Sequence, residues 1–258
     1  MEQKVDAAKG LDVSDEQWRA RMDLAAAHRL AVMHGFHEGI FNHLTLTVPG
    51  TKDRYYQIPF GLHWSEVSAS SFMEVDYDGH VQRGSGYVEQ SCYAIHAPIH
   101  QKLPQAACVM HTHMPYASAL TRLEDPRIKP IGQTEVGMMD CIAYDVDYSG
   151  PAFDPEEGGR LAELFGDKTV LFMGNHGVAT IGHTVSQAYD LLYYVERAAQ
   201  VQLYAMWTGQ PLKVMSPDIV AKTKAGFGGN DFGGKKPHEF HFDALKRILD
   251  RKEPDYAD

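Results

Sequence analysis

The run Ala107-Cys108-Val109-Met110-His111-Thr112-His113-Met114-Pro115 sets an apolar segment ahead of two histidines separated by a single threonine. An apolar run of that length reads as a buried strand, and residues i and i+2 of a strand point to the same face. His111 and His113 therefore aim two imidazoles at one spot. Pro115 suits the first turn of a helix, where its missing N–H costs nothing, and Tyr116 to Leu120 continue that helix. Histidine pairs at strand ends are often just half-exposed side chains. This pair stands at the carboxyl end of a buried strand, where α/β folds place ligands, and a third histidine, His176, follows at another strand end.

Composition bounds what such a spot can serve. With 258 residues, 44% of them hydrophobic, the chain can bury a full core and reads as one globular domain over 1–258. Residues 1–12 read as a frayed tail, and 226–258 as a glycine-rich linker with a C-terminal helix. The net charge of -10 argues against a nucleic-acid groove or an anionic membrane as partner and favours a small molecule. Three irregularly spaced cysteines, Cys92, Cys108 and Cys141, fit a reducing cytoplasm rather than a disulfide framework. The first residues carry charges where a signal peptide needs an apolar run, and no stretch reaches the length of a membrane span. A soluble cytoplasmic protein is expected.

On the N-terminal side, Val13 to His34 has the period of an amphipathic helix that starts near Ser14 and ends at Gly35. A polar loop with Glu38, Asn42 and His43 feeds a strand in which Leu44, Leu46 and Val48 alternate with threonines. Gly50 to Asp53 turns the chain into a partner strand, Arg54 to Ile58, which ends in Pro59-Phe60-Gly61. Phe72 to Asp76 and His80 to Gln82 flank another turn, so the first third is mostly antiparallel strand. Ser91 precedes a helical run from Cys92 to Leu103, with Pro98 as a candidate kink. His96 and His100 share one face of it. They lack the glutamate of an H-E-x-x-H site, so packing is favoured over ligation.

Beyond the opening run, Cys141 to Tyr144 is a short strand, and Asp154 starts a helix to Phe165 with acidic residues in its first turn. Thr169 to Met173 and Val178 to Gly182 are strands joined through Gly174-Asn175-His176-Gly177. His176 is either an ordinary turn residue or one that two glycines allow to point inward. Thr184 caps a long helix to Trp207, in which Glu196 reads as a surface or interhelix ion pair. His241 to Asp250 forms a last short helix, of the kind that packs on a neighbouring subunit. No phosphate-binding glycine motif occurs, which leaves nucleotide cofactors without support.

With His111-Thr112-His113 and Asn175-His176-Gly177 both in view, the chain resembles the class II aldolase/adducin family over roughly residues 15 to 250. Gly39 to Thr45, Ile58 to Gly61, the His96 helix and Tyr193-Tyr194-Val195-Glu196 also match, and their combined order is more specific than any one of them. The resemblance implies an α/β fold, a three-layer α/β/α domain around a mainly antiparallel central sheet, in a homotetramer with sites near subunit interfaces. It also implies one divalent metal ion per subunit, carried over to His111, His113 and His176. Neutral imidazoles with an open position suit Zn²⁺, with Mn²⁺ or Fe²⁺ as alternatives.

The same resemblance implies that the metal stabilises an enolate-like intermediate. The chain departs from the family's sugar-phosphate aldolases in two places. Counting from His111, their acid/base glutamate falls on Cys92, and a thiol copies that role poorly. Their phosphate pocket falls on Asn42-His43, Phe60-Gly61 and Gln90-Ser91. Asn42, His43, Phe60, Gly61 and Ser91 are thus the expected substrate contacts, with Phe60 favouring an apolar or aromatic guest over a phosphate. Glu38 is the first candidate to move the proton and Glu89 the second. The expected function is a metal-dependent carbon–carbon lyase, a decarboxylase or retro-aldolase acting on a small hydroxy or oxo acid. A non-catalytic adducin-like module and an iron-dependent oxygenase are the alternatives.

Overall fold

The structure, a computed structural model, describes residues 12–147, 150, 155–227 and 232–258. The expected tail before residue 12, Ser149, the helix start at Asp154 and the middle of the glycine-rich stretch lie outside the described residues. In chain order the elements are α1 (Asp15–His34), β1 (His43–Thr47), β2 (Arg54–Gln57), β3 (Met73–Asp76), β4 (Val81–Arg83), α2 (Gln90–Lys102), β5 (Cys108–Thr112) and α3 (Pro115–Leu120). They continue with α4 (Gln133–Met138), β6 (Ile142–Asp145), α5 (Pro155–Phe165), β7 (Val170–Met173), β8 (Val178–Gly182), α6 (Val185–Trp207), α7 (Pro217–Phe227) and α8 (Pro237–Lys252).

The strands form one sheet in the order β4-β3-β2-β1-β5-β8-β7-β6. All neighbours are antiparallel except β6 and β7. Alternation along the central strands sorts side chains into two cores. Leu44, Leu46, Cys108, Met110 and Val178 face the layer of α1, α6 and α8. Val109, Ala179 and Ile181 face α2 and α5, where Ile95, Ile99, Leu161 and Phe165 meet them. The period of two thus becomes three layers. His43, Thr45 and His111 alternate with the first set and lie on the α2 face.

Several expectations are corrected in detail. Helix α2 starts one residue before Ser91, and its cap is Glu89, whose carboxylate accepts from Cys92 N at 2.6 Å. Pro98 does not break that helix. It lacks the N–H that would meet Ala94 O, and α5 closes on this point with Gly158, where a Cβ would stand 2.1 Å from that carbonyl. Among the described residues, Glu196 has no ion-pair partner. It is buried, and its two oxygens accept from Tyr116 N at 2.9 Å and Ala117 N at 2.7 Å, capping α3 from another helix. Helix α7, unforeseen in the sequence, buries none of its residues and contains Gly226. The final helix begins at Pro237, four residues before the expected start, and buries Phe242, Leu245 and Leu249 against its own chain.

Candidate metal centre

Strand pairing assembles the site. β1 and β5 set His43 opposite His111, and β5 and β8 set Thr112 opposite Val178, so the β7–β8 turn lies beside the end of β5. In that turn Asn175 adopts a left-handed φ of 54° and donates its N–H to Thr121 O at 2.9 Å. Asn tolerates this conformation better than most side chains. His113 lies just past β5, and its N–H donates to Asn42 Oδ1 at 3.0 Å.

The rings of His111, His113 and His176 converge. Their centroids are 4.8 to 5.0 Å apart, and one ligand nitrogen from each lies within 4.8 Å of the others. His111 Nδ1 donates to Val178 O at 3.1 Å, which leaves Nε2 with a lone pair. His113 Nδ1 is hydrogen-bonded to the Glu38 carboxylate, and its Nε2 is buried with no hydrogen-bond partner. Burial, followed by the neighbouring rings, pushes His111 well below the ordinary imidazole value and His176 to about 4. Burial also lowers His113, although Glu38 pulls the other way. Three neutral imidazoles, one with an orphaned nitrogen, fit a divalent cation. Gly177 completes the cradle, because a Cβ there would stand 2.6 Å from His113 Cδ2 and 2.7 Å from Thr112 O.

Both candidate acids reach this region by different routes. Glu38 is more than half exposed and holds His113. Glu89 is largely buried, with His43 Nε2 at 2.7 Å, the Ser91 hydroxyl at 2.9 Å and Cys92 N all directed at its carboxylate. Burial alone would raise the Glu89 carboxyl, but the His43 contact and these other donors hold it at about 2. Cys92, the position onto which the resemblance carries the aldolases' glutamate, is fully buried, and burial holds its thiol protonated.

A shallow, half-open depression lies beside the triad, walled by Ile40, Leu44, Gln57, Ile58, Phe60 and His43. None of the three converging histidines lines it; His43, opposite His111 across the sheet, connects the two. Of the five expected substrate contacts, Asn42 and Ser91 spend hydrogen bonds inside the protein, on His113 and Glu89. His43 is bonded to Glu89, and Gly61 turns the chain with φ 98°. Phe60 and Gly61 are the exposed ones, and the Phe60 ring lies 6.1 Å from that of Phe41. Phe41 and Gln57, whose Oε1 is buried without a partner, were not foreseen. An aromatic two residues after Gly39, in a polar loop, was the available signal for Phe41. A glutamine in a strand offers none.

Comparisons with known proteins place the chain in a family. The family model described as "Class II Aldolase and Adducin N-terminal domain" matches residues 22–203. A protein of Caulobacter vibrioides named "Putative aldolase class 2 protein" is 30% identical over 250 residues, covering 95% of each chain. Alpha-adducin of Mus musculus is 32% identical over 243 residues, which span 89% of this chain and 33% of that one. The crystal structure of an aldolase II superfamily protein from Pseudomonas syringae superposes with a TM-score of 0.86 at 32% identity, covering 95% of this chain and 98% of the other. The chain belongs to the class II aldolase/adducin family.

Proposed function

We propose that this protein is a divalent-metal-dependent carbon–carbon lyase, a decarboxylase or retro-aldolase, acting on a small, unphosphorylated, aromatic hydroxy or oxo acid. The observation that carries this reading is the convergence of three neutral imidazoles with the orphaned His113 Nε2 among them. When bound, a cation held by His111, His113 and His176 supplies Lewis-acid polarisation of substrate oxygens; Zn²⁺ is the first choice, and Mn²⁺ or Fe²⁺ are alternatives because imidazoles discriminate weakly among them.

The chain's own residues do the rest. Phe60 and Phe41 offer aromatic faces at the mouth, and the depression beside them has apolar walls rather than a cationic phosphate site. Glu38 keeps one carboxylate oxygen on His113 and, being more than half exposed, can pass a proton to or from a bound molecule. Glu89 is too firmly held as an anion to donate one, so it serves to fix His43. In this reading the protein is a cytoplasmic homotetramer; its free cysteines and the exposed apolar residues Val201, Tyr204, Trp207 and Ile219 on α6 and α7 support that. Among the described residues, no helix is long and apolar enough to cross a membrane.

A screen of aromatic hydroxy-carboxylates and short aldols, with CO₂ and aldehyde release both followed, tests the proposal together with metal analysis. His113→Ala loses both bound metal and turnover; turnover without metal in that variant overturns the reading. Cys92 in place of a glutamate, and the likeness to alpha-adducin, favour a second reading as a non-catalytic interaction module. Occupancy below about one half after reconstitution, for which tight folding-linked metal binding leaves no room, decides for that module. Oxygen consumption with Fe²⁺ would decide for an oxygenase.

A further inference from the structure

His43 of β1 and Cys92 and His96 of α2 form a second cluster, of which the lyase reading uses only His43, as a wall of the depression. All three are buried, and one ligand atom from each lies within 4.8 Å of the others. Cys92 and His96 are four residues apart on one face of α2, and the His43 ring lies 5.3 Å from that of His96.

The hydrogen bonds decide which nitrogens are free. His100 Nδ1 lies 2.6 Å from Ala106 O and must donate to it, so His100 Nε2 accepts. The Thr45 hydroxyl, 2.8 Å away, donates to that nitrogen and therefore accepts from His96 Nδ1 at 2.7 Å. His96 Nε2 is left with a bare lone pair. His43 Nε2 faces the Glu89 carboxylate at 2.7 Å and must donate to it, which leaves His43 Nδ1 with another. Both leftover nitrogens are buried without a partner. Two bare, buried lone pairs in one cluster with a thiol are costly if nothing meets them.

We propose that His43, Cys92 and His96 form a second cation site, separate from the three-histidine centre, which takes a thiophilic divalent ion of the Zn²⁺ type through two neutral imidazoles and one thiolate. The donor set has the softness that such an ion selects. The Glu89 carboxylate behind His43 and the Thr45–His100 chain behind His96 orient the rings and raise their basicity, as such partners do for metal-bound histidines. Closing the ligand atoms to bonds of about 2.0–2.3 Å requires shifts of about an ångström. Loading displaces the Cys92 proton, which leaves to solvent. The site does not depend on the lyase reading, since neither ring nor thiol belongs to the triad.

Chelator-stripped protein, kept reduced and titrated with Co²⁺ as an open-shell stand-in for Zn²⁺, tests this. The wild type takes two equivalents, and one of them shows sulfur-to-cobalt charge-transfer absorption. Cys92→Ser takes one equivalent without that band, and His96→Gln also loses it while keeping the thiol. His113→Ala keeps the band-bearing equivalent, and Cys141→Ser keeps both, which removes the half-buried thiol as its source. A wild type that binds one equivalent with no band overturns the proposal, and a trapped water then meets the two lone pairs. A band that survives Cys92→Ser, or one that vanishes in His113→Ala, overturns it as well.

Discussion

His113 takes its orientation from the loop before β1, through Asn42 on its backbone N–H and Glu38 on its Nδ1. In Glu38→Gln the amide oxygen can still accept from the ring, so metal content is retained, while turnover falls by about 10²–10⁴-fold because the proton carrier is gone. Metal content and kcat measured on the same sample check this; normal turnover there with a dead Glu89→Gln reverses the ranking of the two acids. Gly177 has the opposite kind of role, since it matters for what it lacks. Gly177→Ala forces a methyl against His113 and Thr112 O, costs about 1–3 kcal/mol of stability and weakens metal uptake. Denaturant midpoints with and without metal read both effects. The H-x-H pair was legible because alternation alone sets its face. The partner of His113 was not, because nothing in a loop sequence says which ring its carboxylate will meet.

At the scale of elements, α3 is six residues long and too short to hold itself. Pro115 was readable as its first turn, yet the partner of its free N–H groups comes from α6. Glu196 is buried there, and burial raises its carboxyl even though the two N–H groups oppose this. Glu196→Ala leaves those N–H groups unsatisfied and costs about 2–3 kcal/mol, read as a lowered thermal midpoint. Wild-type stability in that variant would show that α3 needs no cap from α6. Glu196 read as an ion pair because a helical period locates a carboxylate on a face without saying which helix end lies opposite. Helix α7 escaped notice for the reverse reason: with no buried face, it carries no strong apolar period.

Across the whole molecule, buried histidines couple the fold to pH. His28 of α1 is fully buried with its Nδ1 on Leu24 O at 2.8 Å, and burial, only partly opposed by that bond, lowers it from 6.5 to about 4. Burial, with His241 nearby, also lowers His34 to about 4. Between these values the unfolded chain binds the extra protons, so stability is complete above about pH 6.5 and is lost as the pH falls towards 4. His28 alone contributes on the order of 3 kcal/mol. Urea midpoints at pH 7 and pH 4.5 check this, and equal midpoints would contradict it.

Local rules were enough for the faces: alternation put Leu44, Leu46, Cys108 and Met110 on one side of the sheet and His111 and His113 together on the other. They were also enough for the helix that Pro115 begins and for the family resemblance, because spacing and order lie along the chain. They could not say that β1 and β8 flank β5. That pairing delivers His176 to the triad, sets His43 against His111, and gathers His43, Cys92 and His96 into one cluster. A periodic pattern records which way a side chain points, whereas its neighbours there depend on contacts between residues far apart in the chain, and those exist only once the layers have closed.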